Sequence, residues 1–120
     1  MKLIWIALGG GLGAVLRYLL GGALAARTEA LVPWGTVAVN VAGCFLIGLA
    51  SESLEGTAKL AVVGGFLGAL TTYSSFALFT TQLGGEGRSM VLAIQLTAHL
   101  AGGVACVLAG MAASRALTGT

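Results

Sequence analysis

Charge is what this sequence has least of. Six Lys/Arg and four Asp/Glu among 120 residues make 8% charged, against about 25% in an ordinary soluble domain. No water-exposed surface can be built from so few charges, and with 58% hydrophobic residues and a mean hydropathy of +1.00 the natural solvent is lipid. No Lys/Arg cluster exists, so nucleic acid is excluded as a partner. Acids are missing from the apolar runs: Glu29, Glu52, Glu55 and Glu86 all flank them, and the sole histidine is His99. No acid/base pair or metal cluster can then be assembled inside a membrane, so the chain reads as no enzyme. A proton-coupled antiporter of this size would hold a carboxylate inside a span, since intramembrane acids mark proton relays. Cys44 and Cys106 lack CxxC spacing and a ligand set, and read as small apolar residues.

What is present is apolar length. Four runs approach the roughly 20 residues that cross about 30 Å of hydrocarbon. They predict an all-α integral membrane protein, one domain over 1–120, with transmembrane helices at about 3–26, 34–50, 60–83 and 89–113. The loops hold Arg27, Glu29 and Pro33, then Glu52, Glu55 and Lys59, then Gly84 to Arg88; Trp5 and Trp34 sit near span ends as interfacial aromatics do. Lys2 ahead of an apolar run, with Ala23-Leu24-Ala25 behind it, has the outline of a signal peptide. Six glycines and Arg17 interrupt that run, however, and it exceeds the 7 to 15 residues of an h-region. Lys2, Lys59 and Arg115 fall on one side, and Arg27 and Arg88, with Arg17 by one count, on the other. Because this bias normally sets orientation, the near tie predicts insertion both ways. Two copies would then pair antiparallel, with the inverted symmetry of many transporters. The competing reading is one orientation set by something other than charge.

Glycine is abundant, 20 residues, mostly inside the apolar runs. Gly9 to Ala14 spells a dinucleotide-binding fingerprint with Glu29 about 20 residues on, but no βαβ sheet follows it. In a membrane helix the pairs Gly9/Gly13, Gly10/Ala14 and Gly64/Gly68 are small-residue packing faces. The stretch Gly64 to Gly68 is also where a broken third helix is expected, since glycine weakens a helix interior. Unwound carbonyls there would suit a cation. Asn40 lies within span 2, and Thr71, Thr72, Tyr73, Ser74, Ser75, Thr80 and Thr81 crowd span 3. Such groups are unfavourable in lipid unless they pair or line a wet path. Hydroxyls and amides donate to an anion without the grip of a full charge, which suits conduction. Tyr73, Phe76 and Phe79 recur on one helical face with electropositive ring edges. Taken singly, each hydroxyl reads as bonding back to its own helix and each aromatic as packing; the cluster reads as an anion path. Arg17, the one cation well inside a run, either snorkels or serves that path.

Gly10-xx-Gly13-Ala14-xx-Arg17-Tyr18, Gly35-Thr36-xxx-Asn40-xx-Gly43-xxxx-Gly48 and Gly65-xx-Gly68-xx-Thr71-Thr72-Tyr73-Ser74-Ser75-Phe76 resemble, in order and spacing, the signatures of the CrcB/Fluc family of small bacterial fluoride channels. The resemblance covers spans 1 to 3. It implies an antiparallel, dual-topology homodimer in the cell (inner) membrane, passive export of fluoride, and a structural sodium ion at the dimer centre. On this chain the ion would be held by the Gly68 and Ala69 carbonyls at the break in helix 3, with Thr71 a further candidate. The pore asparagine would be Asn40, the arginine Arg17, the hydroxyl track Ser74 and Ser75, and the paired aromatics Tyr73 and Phe76, with Phe79 on the same face. Tyr73 departs from the usual phenylalanine and Ser75 from the usual threonine. In span 4 the family's tyrosine and serine are matched by Gln95 and His99, for which pore contact and interhelical hydrogen bonding both stay open. Fluoride is small and strongly hydrated, so closely spaced donors would select it by size and donor number. A negative cell interior would expel the anion, at about 2.3 kcal/mol per charge per 100 mV. The rival readings are a coupled drug or small-solute antiporter and a non-conducting membrane subunit.

Overall fold

The computed structural model describes residues 1–25 and 34–119, and the expected first loop with Arg27, Glu29 and Pro33 lies outside the described residues. Among the described residues the structure is all helical. Four segments are long and apolar enough to cross a membrane: Lys2–Gly21, Trp34–Ser53, Gly56–Gly85 and Ser89–Thr118. The first two are single α-helices, α1 (Lys2–Ala25) and α2 (Trp34–Ser53). The third is composite: α3 (Gly56–Lys59), a π-helical stretch Leu60–Leu67, α4 (Gly68–Leu70) and α5 (Tyr73–Gly85). The fourth joins α6 (Ser89–Thr97) to α7 (Gly103–Thr118) through a π-helical turn, Ala98–Gly102.

The helices run past the apolar stretches into their polar flanks, so Glu52 lies in the last turn of α2, Lys59 ends α3, and the connections are tighter than expected. Lys59 Nζ donates to the Ser51 carbonyl at 2.7 Å, and Arg115 pairs with Glu52 at 3.1 Å, which ties the ends of spans 2, 3 and 4 together. Gly87, at φ +68°, turns the chain between spans 3 and 4 in a conformation that L side chains rarely adopt.

Two backbone-to-backbone seams organise the packing. In the first, α1 lies on the third span: a Cβ at Gly9 would meet the Ala61 carbonyl oxygen, one at Gly13 the Phe66 carbonyl, and one at Gly65 would lie 2.7 Å from the Ile6 carbonyl. In the second, α2 lies on α7, with Gly48 against the Val107 carbonyl and Gly110 against the Phe45 carbonyl. The Gly9/Gly13 face is thus used, whereas Gly64 meets nothing within 4 Å and Gly68 only its own helix at 3.5 Å. The small apolar core gathers Val39, Ala50, Leu67 and Leu70, with Leu16, Val63 and Phe66 against it. Leu3, Leu12, Tyr18, Leu78, Met90 and Leu117 face outward, an apolar surface suited to lipid or a further helix.

The interruption of the third span lies beyond the glycines. Gly68 is itself helical (φ −62°, ψ −33°), and the extended residues are Thr71 (φ −79°, ψ 157°) and Thr72 (φ −145°, ψ 113°). The expected position at Gly64 to Gly68, or at Gly68 and Ala69, is corrected to Thr71–Thr72. Glycine makes a helix easy to open, but Gly65 is pressed against the backbone of α1 at Ile6 and Gly10. Two residues beyond the end of α4, at Thr72, span 2 supplies a hydrogen-bond partner for the opened backbone.

Candidate functional site

That partner is Asn40. Its Nδ2 donates to the Thr72 carbonyl at 3.0 Å and its Oδ1 accepts from the Thr72 N–H at 2.7 Å, so one amide satisfies both backbone groups of an extended residue. A buried, unpaired backbone group is costly, so the break exists where an amide from another helix can reach it. In a continuous helix the Thr72 N–H would bond back to Gly68; turned toward Asn40, it leaves the Gly68 carbonyl without that donor.

Thr72 then restarts the helix. It is the N-cap of α5, and its Oγ accepts from the Ser75 N–H at 3.2 Å. The same hydroxyl donates to Ser75 Oγ at 3.2 Å and lies 3.1 Å from Ser74 Oγ. Having one proton, which goes to Ser75, Thr72 must accept from Ser74. Ser75's own hydroxyl proton stays free for a further acceptor. The other hydroxyls behave as helix hydroxyls commonly do: Thr71 donates to Leu67 O, Thr80 to Phe76 O, and Thr81 to Ala77 O and Leu78 O. The sequence cluster therefore divides into a polar knot at 72, 74 and 75 and ordinary back-bonding at 71, 80 and 81.

Two cavities meet at Thr72. One, of about 650 Å³, is lined by Arg17, Thr36, Thr72 and Ser75 with Tyr18 and Val39. Among the described residues no carboxylate pairs with Arg17. The other, of about 250 Å³, is lined by Asn40, Thr71, Thr72, Tyr73, Phe76 and His99, among others. Phe76 is buried between two rings, with Tyr73 at 5.6 Å and His99 at 4.6 Å between centroids. Tyr73 is itself 78% exposed. Phe79, on the same helix, is partly buried and lines neither cavity.

Gln95 and His99 part company. Gln95 is fully buried, and its Nε2 donates to the Phe76 carbonyl at 3.2 Å and to Thr80 Oγ at 3.1 Å, so it clamps α6 to α5 and lines neither cavity. His99, in the π-helical turn, lines the second cavity. Arg17, Asn40, Tyr73, Ser75, Phe76 and His99 are thereby brought around one residue, Thr72. Its central place was missed in the sequence, although Thr72-xx-Ser75 has the spacing of an N-cap and its N3 partner, a helix-start signal inside an apolar run.

A profile of the family described as CrcB-like protein, camphor resistance (CrcB), matches residues 4–111. The chain is 40% identical over 117 residues to a protein of Acidobacterium capsulatum named fluoride-specific ion channel FluC, covering 92% of this chain and 94% of the relative. It is 40% identical over 120 residues to the protein of the same name from Nitrosococcus oceani, covering 95% and 96%. With the one from Solibacter usitatus it shares 54% identity over 82 residues, 63% of this chain and 67% of the relative.

Proposed function

Since the chain belongs to the CrcB-like family, we propose that it is a fluoride-selective channel, not an enzyme, giving passive export of fluoride across the cell membrane and so lowering cytoplasmic fluoride. The observation that carries this reading is the arrangement at Thr72. A helix opened by Asn40 sets a donor knot between a cavity with an arginine and a cavity edged by aromatic rings. The Arg17 side gathers the anion. Ser75, with its hydroxyl proton, then replaces part of its water, while the Asn40 amide holds the gap open with one N–H on the Thr72 carbonyl and keeps its second N–H for the anion. On the far side, Phe76 and Tyr73 offer ring edges, electropositive but uncharged, so the ion is passed on and not trapped. No coupling carboxylate lines either cavity, so the membrane potential is the driving force.

The functional unit of this reading is an antiparallel homodimer of dual topology in the inner membrane. The near tie in loop charge supports it, as does the 78% exposure of Tyr73 at the mouth of the aromatic cavity, which a second copy would cover. The sodium ion that the family resemblance implies would be held by the Gly68 and Ala69 carbonyls. The Gly68 carbonyl has lost its helical donor to Asn40, both residues lie in the last helical turn before the break, and the carbonyl ends of broken helices coordinate sodium in transporters. Bound there, the ion would supply positive charge that pins the two breaks together. Thr71, whose hydroxyl donates to Leu67 and whose methyl fills the space at Gly43, keeps its oxygen lone pairs and would be a further ligand of the ion.

The test is fluoride efflux from liposomes holding the purified protein, with valinomycin carrying potassium and chloride-loaded vesicles alongside. Rapid fluoride efflux without chloride efflux, and without a proton gradient, is the expected result. A folded protein that moves no fluoride would overturn the reading.

A further inference from the structure

Resting on the fluoride-channel reading, we propose that His99 is a proton-dependent fluoride ligand: the ring takes up a proton at Nε2 and, as an imidazolium, donates that N–H to fluoride in the Phe76 cavity. The geometry fixes the tautomer. His99 Nδ1 lies 3.0 Å from the Gln95 carbonyl oxygen, and a carbonyl only accepts, so Nδ1 carries the hydrogen of the neutral ring. Nε2 is left as a bare lone pair, buried and without a partner among the described residues. One turn earlier, Gln95 spends its N–H groups on Phe76 and Thr80, and its Oε1 is a second buried acceptor without a partner. Of the two, only His99 lines the cavity, and it brings an acceptor and no donor there.

For an anion path that is the wrong polarity until a proton arrives. The titratable and charged groups around His99 are few. Cys44 faces the cavity from α2 and Tyr73 from α5, both neutral, and Cys106 lies further along on α7; α6 contributes only the uncharged Gln95. Arg17 lines the other cavity, beyond Thr72. Among the described residues no carboxylate lines the cavity, so an imidazolium there has no counter-ion among them. An anion in the cavity is the natural one. Proton and fluoride then assist each other's binding by the same factor, as linkage requires. The tilted Phe76 ring, 4.6 Å from the imidazole, holds the ring in place and adds a favourable contact when the ring is cationic. The π-helical turn at Ala98–Gly102 is a further sign of a position shaped for use, since such turns are frequent at functional sites.

His99 is the sole histidine, so its imidazole nitrogen and carbon NMR signals need no assignment by mutation. The experiment titrates those signals in the reconstituted full chain, in fluoride and in chloride, and measures fluoride efflux at about pH 6 and about pH 8, the range over which histidine charges. Protein-free vesicles set the leak of hydrogen fluoride at each pH. In fluoride the ring should stay protonated to higher pH than in chloride. Apparent fluoride affinity should rise by about fivefold or more from the higher to the lower pH, the lower end of ordinary coupling between sites. His99→Gln, which keeps a donor but cannot titrate, should conduct without that pH dependence, and His99→Asn serves if the glutamine variant does not fold. Identical imidazole titrations in the two salts, or an unchanged pH profile in the folded variants, would overturn the proposal. Absence of efflux at both pH values would instead remove the channel reading, and the NMR titration would still decide whether His99 binds proton and fluoride together.

Discussion

The two cavities that meet at Thr72 differ in what they offer an anion. The Arg17 cavity is the larger, about 650 Å³ against about 250 Å³, and holds a permanent charge among hydroxyls. The Phe76 cavity has ring edges, the neutral Cys44 thiol and one imidazole. A full charge attracts from a distance and holds; a ring edge attracts only at contact and releases. Capture on one side and release on the other are what conduction asks for, so both sides depend on the partition between them, Thr72.

The largest effect should therefore come from Asn40, which holds the partition. Asn40→Leu leaves the Thr72 N–H and carbonyl without partners, at about 1–3 kcal/mol for each buried group. Thermal unfolding in detergent should fall accordingly, and fluoride efflux should be lost. Asn40→Asp sharpens the point: it keeps the acceptor for the Thr72 N–H but loses the donor and adds a negative charge. It should recover part of the stability and none of the flux. Normal efflux through Asn40→Leu would mean that the two cavities do not depend on the break.

A smaller, one-sided effect is expected at Arg17. Arg17→Gln removes the charge but leaves the knot at Thr72 untouched, so stability should change little. Efflux should drop several-fold at low ionic strength, and the deficit should shrink as salt rises and the Debye length falls from about 30 Å at 0.01 M to about 8 Å at 0.15 M. Arg17→Lys should restore most of the rate. A deficit independent of salt would show that Arg17 packs or positions and does not steer.

The sequence made the spans, the glycine seam at Gly9 and Gly13 and the importance of Asn40 legible, because hydropathy and small-residue spacing act within one helix. Its family signatures also pointed to the anion. It did not make legible where the third span opens, because that is decided between helices: glycine spacing marks Gly64 to Gly68, while the Asn40 amide reaches Thr72. The division of the hydroxyls was hidden for a related reason. Thr71 and Thr72 are adjacent and chemically identical, yet one bonds back to Leu67 and the other caps α5. Gln95 and His99, matched one turn apart, separated only when the partner atoms were in place, one on Phe76 and Thr80 and one on the cavity. The two π-helical stretches had no sequence signal at all.

The smallest effect should be at Tyr73, where the chain departs from the phenylalanine its family resemblance leads one to expect. The phenol is 78% exposed, while the Phe76 ring that it tilts against at 5.6 Å is buried. If the ring edge is what the anion meets, Tyr73→Phe keeps it and removes only a hydroxyl that bonds to nothing in the cavity. Stability should move by less than about 0.5 kcal/mol, as at other exposed sites, and efflux by little more than about twofold, which is the same energy expressed as a rate. Tyr73→Leu, which removes the ring, should cost more flux than Tyr73→Phe at equal stability. If instead the phenylalanine variant loses as much flux as the leucine variant, the hydroxyl is the anion donor. The Phe76 side would then resemble the Arg17 side more closely than its rings suggest.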